Sequence, residues 1–234
     1  MDRPVTRARG AFLAGAVLGA VLGAGLGVGA ASAQPAESPL TVATVSGQVE
    51  VYRKPRNAWT PARLRDQIAG GEGARALPGG RLTLRTVGGH ALRLAPLSQV
   101  FLAEGAPAAG QPLGLRMDGG WVWVAVLPGA SLRAPLEVQA GPVTVALRGG
   151  TAGIRANADG SVLVRVYHGA ALCTGTGAAG RWERALTAGE ELLGPAAGVP
   201  GEPRPLTPDS AEATWVLWNQ EQDRAGGYAG PAPR

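Results

Sequence analysis

The chain has 234 residues, 45% hydrophobic and 17% charged, with 37 glycines, 19 prolines, one cysteine and a formal net charge of +5. One or two domains fit that length, and the single Cys173 excludes an internal disulfide framework, so an exported domain would rest on its core alone. The basic balance does not point to nucleic acid, because every basic residue but Lys54 is arginine and no block of five like charges occurs.

Arg3, Arg7 and Arg9 precede an uncharged Gly/Ala/Leu/Val run from Gly10 to Ala33. Ala31-Ser32-Ala33 ahead of Gln34 has the small-residue form of a cleavage site, so residues 1–33 are expected to be a secretory signal peptide. The alternative is an uncleaved membrane anchor, since the run reaches the roughly 20 residues that cross a bilayer. Gly15, Gly19, Gly23 and Gly27 also recur at small-xxx-small spacing. A Gly/Ala-rich span is weakly hydrophobic, which favours the signal. No cysteine stands at the cleavage site, and Arg7-Ala8-Arg9 is not a twin-arginine pair.

Residues 34–40 read as a linker, and residues 41–198 as one β domain. Short alternating segments are divided there by glycine or proline about every ten residues, the mark of an all-β fold. The expected architecture is an antiparallel β-sandwich or roll, with a solenoid-like coil as the alternative, and a short C-terminal helix. Arg53, Lys54 and Arg56 form the densest basic cluster and read as a solvated hairpin tip, the rival reading being a contact with anionic envelope polymer or lipid head groups. In Arg81–Val87, Leu82 and Leu84 share a face against Arg81, Thr83 and Arg85. Gly88-Gly89 then predicts a two-residue turn with positive φ at both positions, and Ala91–Leu94 the returning strand.

Gln99–Ala103 and Trp121–Leu127 are further predicted strands. In the second, Val122, Val124 and Val126 alternate with Trp121, Trp123 and Ala125. A strand apolar on both faces is either covered twice or shows an aromatic patch, and Trp121 and Trp123 are therefore candidate partner-binding residues. Val143–Leu147 is β-prone, Arg148-Gly149-Gly150-Thr151 suits a bend, and Asn157–Gly160 is turn chemistry. Ser161–Tyr167 then sets Val162, Val164 and Val166 on one face and Leu163, Arg165 and Tyr167 on the other. A hairpin or a corner is the plain expectation.

Residues 199–207 are a Pro-rich linker. A helix is predicted over 208–225, with Thr207-Pro208 as cap and first position, Asp209 and Glu212 in the first turn and Arg224 near the end; Gly226-Gly227 stops it. Trp215 and Trp218, three apart, share a face that either packs on the β domain or docks another protein. Residues 226–234 are expected to be a disordered tail, Tyr228 included.

Chemistry is sparse. His90 and His168 have no carboxylate or cysteine at ligand spacing, and no nucleophile elbow or Walker loop occurs. Glu190-Glu191 and Asp66 with Glu72 read as solvated loop charge, so no catalytic residue, metal or cofactor is expected. Cys173 reads as a small buried apolar residue.

Taken in order, these elements resemble the FecR family over about Thr41–Gly194. The motifs are Gly47-Gln48-Val49, Trp59 before Leu64, and the Leu82/Leu84, Gly88-Gly89, Leu92/Leu94 hairpin with Pro96 and Ser98. Gly120-Trp121-Val122-Trp123-Val124 follows, then Val138, the Arg148-Gly149-Gly150-Thr151 family turn, Val164/Val166 with His168-Gly169-Ala170, and Leu186 before Gly189-Glu190. The family usually reads Arg-Gly-Thr with an aromatic two residues on; here a glycine is added and Gly153 takes the aromatic position. Sensor members carry a cytoplasmic anti-sigma segment before a membrane helix, whereas about ten residues precede the hydrophobic run in this sequence. The resemblance implies an extracytoplasmic, non-catalytic sensing or protein-interaction module of the cell envelope, periplasmic or at the cell surface. Its expected partner is an envelope protein. The alternatives are an envelope-polysaccharide or cell-wall binder, supported by the tryptophans, and a membrane-anchored signalling subunit.

Overall fold

Alternation of period two governs the strands of the computed structural model, which describes residues 40–105, 111–127, 135–177, 180–207 and 209–228. The expected signal peptide or anchor, linker residues 34–39, Pro208 and residues 229–234 lie outside them. The strands are β1 Leu40–Ser46, β2 Val49–Arg53, β3 Ala58–Pro61, β4 Gln67–Ile68, β5 Gly73–Ala76, β6 Arg81–Thr86, β7 Ala91–Leu94 and β8 Ser98–Leu102. They continue as β9 Leu113–Val126, β10 Leu136–Ala140, β11 Val143–Ala156, β12 Val162–Gly177, β13 Gly180–Thr187, β14 Glu190–Gly194 and β15 Arg204–Pro205. The helix α1 spans Ala213–Gly226. The expectation of an all-β domain with a short C-terminal helix therefore holds. Among the described residues no helix is long and apolar enough to cross a membrane.

All the strands join one sheet, which is not closed. Among the described residues pairing is antiparallel with one exception, since β9 and β10 run parallel from Leu113↔Leu136 to Met117↔Ala140. The sheet is thus mixed where an antiparallel one was expected. A parallel neighbour requires the chain to travel back between the end of β9 at Val126 and the start of β10 at Leu136.

Three long strands change partners half-way. β9 pairs with β8 and β10 through its first half and with β7 and β11 through Gly120–Val126. β11 pairs with β10 at Val143–Leu147 and with β9 at Gly150–Ala156. β12 pairs with β14 at Val162–Val166 and with β13 from Ala170 onward. Arg148-Gly149-Gly150-Thr151 is accordingly a bulge inside one 14-residue strand, not a turn between two, so the corner half of the expectation is met. Gly150 (φ +100°) faces Gly169 (φ +74°), and a Cβ on Gly150 would lie 2.0 Å from the His168 carbonyl oxygen. Only glycine lets the two backbones meet there. The hairpin lies further on, at Asn157–Gly160, where Ser161 O accepts from Asn157 N at 2.9 Å.

The β6–β7 hairpin also differs in detail. Its loop is Val87-Gly88-Gly89, closed by Gly89 N→Thr86 O (2.9 Å) and Thr86 N→His90 O (3.0 Å), and of the two glycines only Gly89 has positive φ. That is the three-residue loop with a left-handed glycine rather than the two-residue turn.

The inner faces make one aliphatic core in which Leu82, Leu84, Leu92, Val122, Val124, Ile154, Val164 and Val166 are buried. Cys173 belongs to it, and burial pushes its thiol up to about 12. Several expected loop charges are structural. Asp66 and Glu72 converge on Arg53 at 3.4 and 3.1 Å, and Lys54 pairs with Glu104. Glu191 is buried between Arg165 and Arg204 at 2.9 and 2.8 Å. Glu191, next to two guanidiniums, is satisfied without water, which is why it need not be solvated.

Candidate interaction site beneath the C-terminal helix

The outer face of β7, β9, β11 and β12 holds the side chains that alternation places opposite the aliphatic core. Register lines them up in a transverse row: Arg93 faces Trp123, Trp123 faces Gly153, Gly153 faces Arg165, and Arg165 faces Glu191. Beside the row lie Ala91 and Ala125 on one side and Trp121 with Arg155 on the other. Tyr167 is the extra residue of the β12 bulge between Thr151↔His168 and Ala152↔Val166. That offset lays its ring on Trp123, centroids 4.4 Å apart and 24° from parallel.

α1 covers this face and creates a second hydrophobic cluster of Ala91, Ala95, Trp123, Ala125, Trp215 and Tyr228, with Trp121, Tyr167, Val216 and Trp218 packed around it. All four candidate partner-binding tryptophans thus meet at one place. Trp123 is fully buried, with 0% exposure. Trp121 packs edge-on against Trp215 at 6.0 Å, and Trp215 stacks on Trp218 at 5.3 Å. The helix-face reading in which Trp215 packs on the β domain is the one observed; half-buried Trp218 keeps an outward side.

Gly153 explains the family departure in steric terms. A Cβ there would approach Trp121 Nε1 to 3.0 Å and Tyr167 Cε2 to 3.4 Å. The space an aromatic would need at position 153 is filled by Trp121 and Tyr167 instead.

Two ionic clusters pin α1. At its C-terminal half, Arg93 Nη1 donates to Asp223 Oδ1 at 2.6 Å and Trp123 Nε1 to Asp223 Oδ2 at 2.9 Å. Asn219 accepts from Arg93 at 3.4 Å and donates to Trp215 O at 2.8 Å. At the N-terminal end, Glu212 accepts from both Arg155 and Arg165. Arg165 also donates to Glu191 (2.9 Å) and to Thr207 O (3.2 Å). Burial pushes the Asp223 carboxyl above its ordinary range despite Arg93 and Trp123. Burial acts the same way on Glu191, but hydrogen bonds from Arg165, the Thr207 backbone and Arg204 win and hold it low. Burial takes the Tyr167 hydroxyl up to about 12.

The helix begins later than predicted, with Glu212 as N-cap residue, so Asp209 and Glu212 precede the first turn. Glu212 is committed to Arg155 and Arg165 through its side chain, while its carbonyl accepts from Val216 N at 3.0 Å as the helix begins. The stop is as expected, with Gly227 left-handed at φ 74° and Arg224 in the last turn. Tyr228 is not part of a disordered tail. Its ring is buried in the second cluster, and its hydroxyl donates to Gly89 O at 2.7 Å and accepts from Arg85 at 2.9 Å.

Arg93, Arg165, Glu212, Asp223 and Tyr228 were not legible as site residues. Alternation assigns Arg93 and Arg165 to an outer face, and outer reads as solvent unless something is known to cover it. The usable signal is the stripe Trp215, Asn219, Asp223 at four-residue spacing, whose polar members sit where a docked face is apolar. His90 is buried and its Nδ1 finds no partner among the described residues; burial lowers its pKa. Among the described residues no group of three or more His, Cys, Asp or Glu is placed to hold a metal.

The family described as FecR protein matches residues 74–172, from β5 to the middle of β12. No curated protein matches the sequence. Two crystal structures of a candidate anti-sigma factor from Parabacteroides distasonis, at 1.65 and 2.50 Å resolution, align with TM-scores of 0.48 and 15% identity. The first alignment covers 62% of this chain and 64% of that one, the second 67% and 74%. This chain therefore spans less than two thirds of the first structure. The FecR resemblance carried by the sequence motifs is shown over residues 74–172, which form a FecR-type segment.

Proposed function

We propose that the protein is a non-catalytic FecR-type module that senses or binds a protein partner outside the cytoplasm. The observation that carries this reading is the FecR match over residues 74–172, the stretch that contains the bent strands β9 and β11 and the outer face they build. That face supports protein binding over catalysis, because its charged groups are spent on one another and its aromatic rings sit among arginines, the composition of contact hot spots. The Arg-led Gly/Ala run and its small-residue cleavage site support export, to the periplasm or cell surface.

The carbohydrate alternative drew on the tryptophans, and four of the six are taken up beneath or upon α1. Trp59 packs with Tyr52 and Phe101, but Arg75 lies over Trp59 at 4.2 Å and Arg116 over Phe101 at 4.9 Å, leaving ring faces occupied. Protein recognition is therefore the first reading. Crosslinking in producing cells tests it: a defined envelope protein should co-purify with the chain, and retention on purified cell-wall polysaccharide without any protein partner would reverse the order. Sequencing the mature N-terminus tests export, with Gln34 the expected first residue.

A further inference from the structure

α1 does not fill the groove it occupies. On one flank an apolar cleft of ≈ 320 Å³ remains open among Tyr167, Leu206, Val216 and Leu217, and Leu217 is 58% exposed. On the other a cleft of ≈ 310 Å³ lies among Arg81, Pro96, Trp121 and Trp215. Trp215 Nε1 is buried with no acceptor among the described residues, a desolvation cost that the present packing of α1 leaves uncompensated. No side chain caps the helix N-terminus, and a helix of 14 residues is marginal on its own. The buried pairs Arg93–Asp223 and Arg165–Glu212 fix where α1 sits more than they strengthen it, since desolvation offsets much of their attraction.

Among the described residues, backbone bonds tie the chain to the sheet as far as Leu206, and beyond Thr207 the ties are made by the side chains of Glu212, Asn219, Asp223 and Tyr228. Leu206 N donates to Gly189 O at 2.7 Å and Arg165 holds Thr207 O, whereas α1 itself forms no strand pairing. Release of α1 would leave the β15 contact with β14 in place. It would expose Trp121, Trp123 and Tyr167 between Arg93 on one side and Arg155 and Arg165 on the other.

Building on the protein-interaction reading above, we propose that the outer face of β7, β9, β11 and β12 is a helix-receiving groove and that α1 is its tethered occupant. The partner it fits presents an acidic amphipathic helix with aromatic anchors. The resident helix shows the required chemistry. Carboxylates about three helical turns apart, as in Glu212 and Asp223, answer the two arginine clusters, and indoles on the same face answer Trp121 and Trp123. A partner with bulkier side chains on its flanks would fill the two clefts that α1 leaves open.

The test uses the full chain and a labelled synthetic peptide of residues 209–228 as the acidic helix. Wild-type protein should bind the peptide weakly, because its own α1 competes. A Trp215→Ala/Asp223→Ala variant, whose α1 is loosened, should bind it about tenfold more tightly or better. Adding Arg93→Met should abolish that gain. Should the double variant not fold, Asp223→Asn alone, which keeps the side-chain shape and removes the charge facing Arg93, should give the same order with a smaller gain. Equal affinities for wild-type and loosened proteins that retain β circular dichroism would overturn the proposal; so would loss of the β fold in both variants, which would make α1 part of the folding core. A partner crosslinked equally well by the wild-type and loosened chains would keep the protein-interaction reading and still sink the groove.

Discussion

The two faces of β9, β11 and β12 are made by the same residues' alternation and yet obey different physics. Val122, Val124, Ile154, Val164 and Val166 look inward onto a dry aliphatic core that reaches from β1 to β14. Trp121, Trp123, Gly153, Arg165 and Tyr167 look outward onto one helix through rings and ion pairs. Area burial and close packing hold the first face. The second is closed by a few long side chains whose charges must find one another, so it is selective about what covers it and less tolerant of imperfect partners.

The sharpest way to break the comparison is at the bend that serves both faces. Gly150→Ala should cost about 4 kcal/mol, combining a left-handed backbone with a backbone clash, and both faces should fail together in urea unfolding. Ile154→Ala, confined to the inner face, should cost about 3 kcal/mol, again with all spectroscopic probes coincident. Gly153→Phe should cost about 1–3 kcal/mol by overpacking Trp121 and Tyr167. Its effect should appear as altered tryptophan fluorescence from a displaced α1 while the far-ultraviolet β signal stays. Leu217→Ala, on the exposed flank of α1, should lie within about 0.5 kcal/mol of wild type by thermal unfolding.

Acid separates the ionic groups of the outer face by sign. Glu191 is held below its ordinary range, so its contribution is complete above that range and is lost as pH falls through the depressed value. Asp223 is pushed above its ordinary range, so its contribution is complete below that range and is lost as pH rises through the raised value. Acidification should therefore favour the folded state through Asp223 and disfavour it through the Arg165–Glu191 pair. Tryptophan fluorescence followed from neutral to mildly acidic pH, with Asp223→Asn as the control that removes the change, checks it.

Much of the inner face was legible in the sequence. Val122, Val124 and Val126, Val162, Val164 and Val166, and Leu82 with Leu84 all announce themselves by period two, and all are buried. The outer face was half legible. Two-sided apolarity at Trp121 and Trp123 marked a covering layer, and Trp215 with Trp218 marked a helix able to supply it. Nothing local said that these were the same event, because the contact joins residues about a hundred positions apart. Arg93 and Arg165 were hidden for a different reason: an arginine on an outward strand position carries the same signal whether it meets water or Asp223. Tyr228 was hidden by its place after a glycine pair, where the chain reads as a free end although its ring closes the cluster. The bend at Gly149-Gly150 was visible as a departure from regular alternation, but a bulge within a strand and a turn between strands share the same glycines.

Native-state hydrogen exchange followed residue by residue across a denaturant series tests the central contrast most directly. α1 amides such as those of Val216 and Gln220 should exchange through an opening of lower free energy and weak denaturant dependence, while core amides of β9, β11 and β12 exchange only with global unfolding. Exchange of α1 at the same free energy and the same denaturant slope as the core strands would contradict the account, and would make the two faces a single cooperative unit.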